Sequence, residues 1–163
     1  MNQRLEADGF DVPVGDRYFE DYVAGTIHEY GGVTVSEREI VDFASRFDPQ
    51  SFHVDPVAAA HGPFGGLIAS GWHTVALMMR LFATRYLSTV ASLGSPGVDE
   101  LRWLKPVRPG DHLRLRVTIL DARRSRSDPR RGIVRTLAEL VDLEDRPVLR
   151  VTVVNLLRTR DGC

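Results

Sequence analysis

Asp48 and His53 are the two residues of this 163-residue chain whose types and spacing best suit acid–base chemistry. Pro49 lies between them and disfavours helical geometry in the residue before it, so the chain is expected to turn at Asp48. A turn can direct both side chains at one point, which an uninterrupted helix at this spacing would not do. A carboxylate and an imidazole that face one point can hold a water molecule and move its protons.

The same two residues also have ordinary structural interpretations. An aspartate that leaves a helix beside a proline is common in turns, and polar loop residues are only sometimes functional. A third interpretation is a two-histidine metal site consisting of Asp48, His53, Asp55 and His61. That spacing matches no common ligand pattern, so no metal is expected. The usual serine hydrolase is excluded because the chain has no Gly-x-Ser-x-Gly motif.

The segments around Asp48 predict two helices that would position it. Ser36 and Glu39 have the spacing of a capping box, which predicts a helix that begins after Ser36. Apolar residues follow at helical spacing, and Pro49 should end this helix. A second, short helix is expected after Asp55, because aspartate is a good cap and Pro56 fits the first turn.

A longer helix is predicted from about Gly71 to Tyr86, with Ser70 as its N-cap. Its apolar residues occupy most of its circumference, so protein is expected to surround it. One face of it consists of Trp72, Val75, Ala76, Met79, Phe82, Ala83 and Tyr86, and Leu77, Met78 and Leu81 make much of the rest apolar. The apolar stretch 67–83 is short for a membrane span and contains Arg80, so a helix buried in the protein is the preferred interpretation.

Towards the C-terminus the hydrophobic period changes from helical to alternating, which predicts antiparallel strands. Leu113 to Ile119 alternates with polar residues, and a similar pattern covers 149–153. The segments 98–104 and 132–143 are further predicted strands, although 137–144 is also compatible with helix. Together with an early strand, this order predicts an α+β fold in which a curved antiparallel sheet wraps around one long central helix.

The composition is that of an ordinary globular protein with a formal net charge of −1, and nothing in it predicts nucleic-acid binding. The length suits one domain, predicted over residues 16–158, after a loosely held tail over 1–15. The tail has no apolar run, so no signal peptide is expected. The one cysteine, Cys163, can form no internal disulfide, which fits a reducing cytosol. A cytoplasmic protein without a membrane partner is therefore expected.

Four segments of the chain, in this order, resemble the MaoC-like dehydratases, the (R)-specific enoyl-CoA hydratase group of the hot dog fold. They are Tyr18-Phe19-Glu20-Asp21, Phe47 to Pro56, Gly66-Leu67-Ile68-Ala69-Ser70-Gly71 and Lys105 to Asp111. The family's motif is an aspartate followed five positions later by a histidine, commonly with Asn-Pro between them. Asp48 and His53 keep this spacing, whereas Gln50 and Ser51 stand in for Asn and Pro.

This resemblance implies reversible addition of water to a 2-enoyl thioester, giving a 3-hydroxyacyl thioester, as in fatty acid metabolism. The implied substrate is an acyl-CoA or an acyl-carrier thioester, with no separate cofactor. Asp48 would be the base that activates water, and His53 its partner in proton transfer. The resemblance also implies a homodimer or larger assembly with the active site at the subunit boundary, and an exposed sheet edge would be covered in this way.

The residues around the start of the long helix are candidates for substrate contacts. The first N–H groups of a helix lack internal partners, so the Gly71 N–H is a candidate donor to the enolate oxygen. Glycine at this position also permits close helix–sheet packing, and spacing alone favours neither role. Ser70 and Trp72 flank Gly71, and Trp72 is a candidate for an acyl pocket or for the core.

A run of arginines between two predicted strands includes Arg123, Arg124 and Arg126. Several guanidinium groups in one hairpin are a candidate site for the phosphates of coenzyme A. Such runs are more often solvated loop tips, so both interpretations stay open.

Two other functions remain open from the sequence. Hot dog thioesterases also use a carboxylate and a helix N-terminus, but in them water attacks the carbonyl carbon instead of the β-carbon. The second is a non-catalytic subunit that binds acyl chains or pairs with an active copy. The departures at Gln50 and Ser51 keep this second alternative open.

Overall fold

A computed structural model describes residues 9–162 of the chain. Its strands are β1 (Ile27–Thr34), β2 (Gly97–Trp103), β3 (His112–Arg124), β4 (Arg131–Val141) and β5 (Pro147–Arg158). Its helices are α1 (Glu37–Phe47), α2 (Ser51–Val54), α3 (Pro56–Ala60) and α4 (Gly71–Leu81). A π-helix over Phe82–Tyr86 continues α4, and short 3-10 helices cover Phe19–Asp21 and Arg160–Gly162. The predicted α+β class is confirmed.

The strands form one antiparallel sheet in the order β1-β3-β4-β5-β2. β4 lies at its centre and pairs along nearly its whole length with β3 on one side and β5 on the other. Ala138, for example, lies opposite Val117 and opposite Val151. Pairing on both sides satisfies the backbone of the segment, which explains why 137–141 is strand although its sequence is also compatible with helix.

α4 contributes to the same buried core as the sheet. Leu77, Met78 and Leu81 share one apolar cluster with the inward-facing side chains of β3, which are Leu113, Leu115, Val117 and Ile119. Strict alternation over residues 112–119 of β3 produces this apolar face, as the sequence predicts. The core therefore lies between one helix and one face of the sheet.

α4 is less completely surrounded by protein than the sequence predicts. Phe82 and Tyr86 are buried, but Trp72 is 58% exposed and Met79 is 42% exposed. Ala76 and Ala83 are also exposed, whereas Val75 is half-buried. A helix with apolar residues on most sides offers the sheet more than one possible face, so the hydrophobic period does not decide which face is buried.

The beginning of the described chain packs onto the core. The Phe10 ring stacks on His28 with 4.2 Å between ring centroids, and the Arg17 guanidinium lies 3.9 Å from the Phe10 centroid. Over residues 9–15 the structure thus differs from the predicted loose tail, because an aromatic side chain finds an apolar site there. The rest of the predicted tail, residues 1–8, and Cys163 lie outside the described residues.

The helix caps that the sequence predicts are all present. The Ser36 hydroxyl accepts from the Glu39 N–H at 3.2 Å, and the Glu39 carboxylate accepts from the Ser36 N–H at 3.1 Å. The Asp55 carboxylate caps α3, and the Ser70 hydroxyl accepts from the Trp72 N–H at 3.2 Å to cap α4. No helix among residues 9–162 is long and apolar enough to cross a membrane.

Candidate active site

Three helix ends meet at Asp48. This residue follows the last turn of α1 and has left helical geometry, with φ −154° and ψ 68°. Its Oδ2 lies 3.3 Å from Nε2 of His53 in α2, and it accepts a hydrogen bond of 2.7 Å from the Ser70 hydroxyl at the start of α4. The turn at Pro49 therefore brings the two acid–base side chains together, as their spacing predicts.

His53 is held in one orientation by its other ring nitrogen. Its Nδ1 lies 2.7 Å from the Ile68 carbonyl oxygen, and the residue is 5% exposed. A carbonyl only accepts hydrogen bonds, so Nδ1 is assigned the proton in this contact. In the neutral imidazole, Nε2 is then the nitrogen with a free lone pair, and it is directed at Asp48. His53 is thereby prepared to accept or return a proton at Nε2.

Donors on both oxygens favour the ionised form of Asp48. The hydrogen bond from Ser70 is the largest cause that lowers the pKa of Asp48 below its ordinary value. Gln50, whose Nε2 donates to Oδ1 at 2.7 Å, lowers the pKa further, and nearby His53 adds a smaller effect. Partial burial opposes these effects without reversing them. Asp48 is consequently a carboxylate at neutral pH.

The pair opens onto a cavity of about 410 Å³, within the range of small-molecule sites. Asp48 and His53 lie among its lining residues together with Gly71, and most of the remaining wall is apolar. The apolar part of this wall includes Phe52, Phe64, Ile68, Trp72, Trp103 and Leu104. The arrangement combines a water-binding acid–base pair with room for an apolar ligand.

Gly71 lies in the first turn of α4, where backbone N–H groups have no helical partner. Among residues 9–162, no hydrogen bond found in the structure uses its N–H. The side chain of Trp103 lies so close that a Cβ on Gly71 would be 2.6 Å from Cε2 and Nε1 of its indole. The Trp103 Nε1–H also donates to the Gly71 carbonyl at 2.8 Å. Packing against β2 thus explains the glycine, whereas its N–H remains a candidate donor to substrate.

The two neighbours of Gly71 differ in their relation to the cavity. Trp72 lines it and contacts Trp103 edge to face, with 5.4 Å between ring centroids. Ser70 is fully buried and does not line the cavity. Its hydroxyl is used by Asp48 and by the α4 cap, so its place differs from the predicted substrate contact.

The three predicted phosphate-binding arginines are not at this cavity. Arg123, Arg124 and Arg126 belong to the hairpin between β3 and β4, where Arg124 pairs with Glu20 and Asp161. Strand register places this hairpin beside Leu157 of β5, whereas Trp103 at the cavity lies opposite Leu149. Eight residues of extended strand span about 26 Å. Within one protomer the arginine hairpin therefore lies far from this cavity, and its role in binding the phosphates of coenzyme A stays a prediction.

The residues of the alternative metal site have other uses. Asp55 accepts from the N–H groups of Val57 and Ala58, and His61 bonds through Nδ1 to the Val57 carbonyl. Within the part of the chain that the structure describes, no three His, Cys, Asp or Glu side chains form a group that could hold a metal ion.

Sequence reasoning missed two residues of the site. Gln50 carries a detectable signal, since a donor side chain two positions after an aspartate in a turn can reach its carboxylate. Trp103 carries none, because its contact with Gly71 joins residues 32 positions apart. Such a contact depends on how β2 packs against α4.

This fold defines the class of protein to which the chain belongs. A sheet of five antiparallel strands packed on one long helix is the hot dog fold. A Mycobacterium tuberculosis protein with a double hot dog fold matches 92% of this chain, over 47% of its own, with a TM-score of 0.73 at 22% identity. The likeness at this identity concerns the fold alone.

The chain belongs to the MaoC-like domain family, whose model matches residues 23–141. The MaoC-like dehydratase from Rhodospirillum rubrum is 38% identical, with a TM-score of 0.82 over 88% of this chain and 98% of that one. The 3-hydroxyacyl-thioester dehydratase Z of Mycobacterium tuberculosis is 39% identical over 84 residues, which are 50% of this chain and 56% of that protein. The family thus includes dehydratases of 3-hydroxyacyl thioesters.

Proposed function

We propose that this protein catalyses the reversible addition of water to a 2-enoyl thioester, forming a 3-hydroxyacyl thioester. The observation that carries the proposal is the convergence of the Asp48 carboxylate and His53 Nε2, 3.3 Å apart, at an otherwise largely apolar cavity. Membership of the MaoC-like family and the likeness to a named dehydratase support the reaction class.

The chemistry follows from the atoms that face the cavity. Asp48 and His53 both bind one water molecule from the cavity side, and its oxygen adds to the β-carbon as the pair removes a proton. The pair then returns a proton to the α-carbon, so that one water molecule is added and the dyad is restored. In between, negative charge develops on the thioester oxygen, where the Gly71 N–H at the positive end of α4 is the proposed donor.

The same reaction in reverse removes water from a 3-hydroxyacyl thioester. The apolar wall of the cavity accommodates the acyl chain, and coenzyme A or a carrier protein enters as part of the substrate. Under this proposal no separate cofactor takes part, since each step is a proton transfer or the addition of water.

We also propose that the protein acts as a homodimer or a larger homo-oligomer. β2 is an edge strand of the sheet, and six of its seven residues are exposed. β1, the other edge, keeps the alternation of buried and exposed residues that is expected of a strand covered on one face. Exposed Trp72 and Met79 on α4 add apolar surface that a second copy would cover.

A panel of 2-enoyl-CoA esters, assayed with wild type and with Asp48→Asn, tests the reaction. We expect reversible loss of enoyl absorbance with wild type and a fall of at least about 10²-fold in kcat for the variant, because general acid–base groups contribute that much or more. Asp42→Asn is the matched control, since Asp42 lies exposed on α1 and pairs only with Arg38 among the described residues.

Three outcomes would contradict the proposal. Hydration by Asp48→Asn at nearly the wild-type rate would show that the Asp48–His53 dyad does not catalyse the reaction. Free coenzyme A released from a saturated acyl-CoA, without hydration, would show a thioesterase. Binding of acyl-CoA without turnover of any enoyl-CoA would show a non-catalytic subunit.

A further inference from the structure

Gln50 is one of the two residues that depart from the common pattern of the family motif, and it contacts the catalytic carboxylate directly. Its Nε2 donates to Asp48 Oδ1 at 2.7 Å. The side chain is exposed and lines the cavity. This exposed side chain therefore bonds to the carboxylate that the proposed reaction uses.

The two oxygens of Asp48 have separate partners. Oδ2 accepts from Ser70 at 2.7 Å and faces Nε2 of His53 at 3.3 Å. At Oδ1 the hydrogen bond found among the described residues is that of Gln50. The terminal torsion of an aspartate is broad and roughly two-fold, so one donor alone would leave the carboxylate plane loosely fixed. A second donor on the other oxygen fixes it.

We propose that Gln50 is a positioning residue that fixes the Asp48 carboxylate so that Oδ2 stays directed at His53 and the reacting water. This inference rests on the proposed hydratase function and adds a residue to its machinery. The length of glutamine is part of the proposal. An asparagine side chain is shorter by one carbon–carbon bond of about 1.5 Å, and from the same backbone it would not reach Oδ1.

The local backbone supports this assignment. Gln50 N–H donates to the Asp48 carbonyl at 2.8 Å, and the Gln50 carbonyl accepts from the His53 N–H at 2.9 Å. Gln50 is therefore the residue through which the turn joins both members of the dyad. These main-chain hydrogen bonds fix the backbone of Gln50, so its side chain starts from a fixed point beside the Asp48 carboxylate.

The pKa of Asp48 in the free protein provides a test that needs no turnover. We would follow the Asp48 carboxyl carbon by NMR in ¹³C-labelled protein, assigned with Asp48→Asn, for wild type, Gln50→Glu, Gln50→Ala and Gln50→Asn. His53 is the titratable side chain that contacts Asp48 in the structure, so its ring signals are followed in the same titration.

Loss of the donor should raise the pKa of Asp48 in all three variants. The largest rise is expected in Gln50→Glu, which has nearly the same shape but places a second carboxylate beside the first, so the two titrate as a coupled pair. The reaction should show a split, with kcat at neutral pH lower by about tenfold and KM within about twofold, because orientation and not substrate affinity is lost. Gln50→Asn should resemble Gln50→Ala.

Ser51→Ala is the matched control, because Ser51 is the other departure from the motif and is also exposed. It should leave both the titration and kcat unchanged. An Asp48 titration in Gln50→Ala and Gln50→Glu identical to that of wild type would overturn the proposal, as would full kcat in both variants. If wild type has no hydratase turnover but the Asp48 pKa rises as expected, the proposed function fails and the positioning of Asp48 by Gln50 stands.

Discussion

Ser70 links the start of the central helix to the chemistry of Asp48 through a single hydroxyl group. The hydroxyl accepts the Trp72 N–H that begins α4 and donates its own proton to Asp48 Oδ2. The lowered pKa of Asp48 has this hydrogen bond as its largest cause. The protonation state of Asp48 therefore depends on the same hydroxyl group that caps the helix.

Replacing Ser70 by alanine should raise the pKa of Asp48 and move the acidic limb of the kcat/KM profile to higher pH. In wild type, the stability that Asp48 contributes is present above its ordinary pKa and lost as the pH falls through its lower folded-state pKa. In Ser70→Ala the two values lie closer together, so stability should depend less on pH in this acid range. Unfolding in urea at several pH values and a pH–rate profile measure both effects.

Loss of the α4 cap must be separated from loss of the bond to Asp48, since a capping serine contributes about 1 kcal/mol. Ser36→Ala removes the equivalent cap from α1, where the hydroxyl bonds to Glu39 instead of to a site residue. It should lower stability similarly and leave the pH–rate profile unchanged. Equal shifts of the profile in both variants would mean that the pKa of Asp48 does not depend on the Ser70 hydroxyl.

At the scale of elements, features with local causes are predictable from the sequence. The starts of α1, α3 and α4 follow from Ser36, Asp55 and Ser70, because each side chain caps N–H groups within three positions of itself. α2, the single turn that carries His53, was not predicted. It is held by tertiary contacts, such as the Ile68 N–H donated to the Phe52 carbonyl at 3.1 Å. No local pattern encodes those contacts.

The packing of β2 on α4 leads to a prediction about Gly71. Gly71→Ala would place a Cβ 2.6 Å from the Trp103 indole, so the indole must shift and give up its hydrogen bond to the Gly71 carbonyl, and the free energy of unfolding should fall by about 0.5–1.5 kcal/mol. The cause is specific to Trp103, because alanine is otherwise the better helix former. Urea denaturation of the single variant measures the loss.

A double-mutant cycle with Trp103→Ala identifies the partner. In the Trp103→Ala background the added methyl group should cost nothing or stabilise α4, so the two changes should be strongly non-additive. Additive effects would contradict the assignment of glycine to packing at this position. Close approach of a substrate oxygen to the backbone, which a Cβ would hinder, would then be the better explanation for glycine.

At the scale of the whole molecule, the arginine hairpin shows what the sequence leaves undecided. The sequence predicts the strands on either side of this hairpin, and it predicts the Asp48–His53 pair. The distance between the hairpin and this pair, however, depends on the register of the strands. Because Gly132 lies opposite Leu157 and Leu140 opposite Leu149, the hairpin and the cavity lie at opposite ends of the sheet. Residue types alone suggested that the arginines and the Asp48–His53 pair bind one ligand, whereas the strand pairing places the two groups far apart within one protomer.

The two edge strands of the sheet differ in the role that we expect each to have in assembly of the oligomer. Val98 on β2 and Ile27 on β1 are both exposed, at 54% and 58%, so they make a matched pair. If β2 is the edge that pairs with a second copy, Val98→Lys should shift the protein towards monomer, because a charge on a paired edge opposes strand addition. Ile27→Lys should leave the assembly unchanged. Sedimentation velocity on wild type and both variants measures this.

Turnover adds a second criterion, because the proposed active site lies close to the same surface. Trp103 is the last residue of β2 and lies against Gly71. Separation of the subunits would therefore expose that side of the cavity to water. Val98→Lys should therefore lose hydratase activity in proportion to its monomer fraction, while Ile27→Lys keeps it. A wild-type protein that sediments as a monomer with full activity would contradict the dimer and require β2 and the outer face of α4 to remain exposed in the working enzyme.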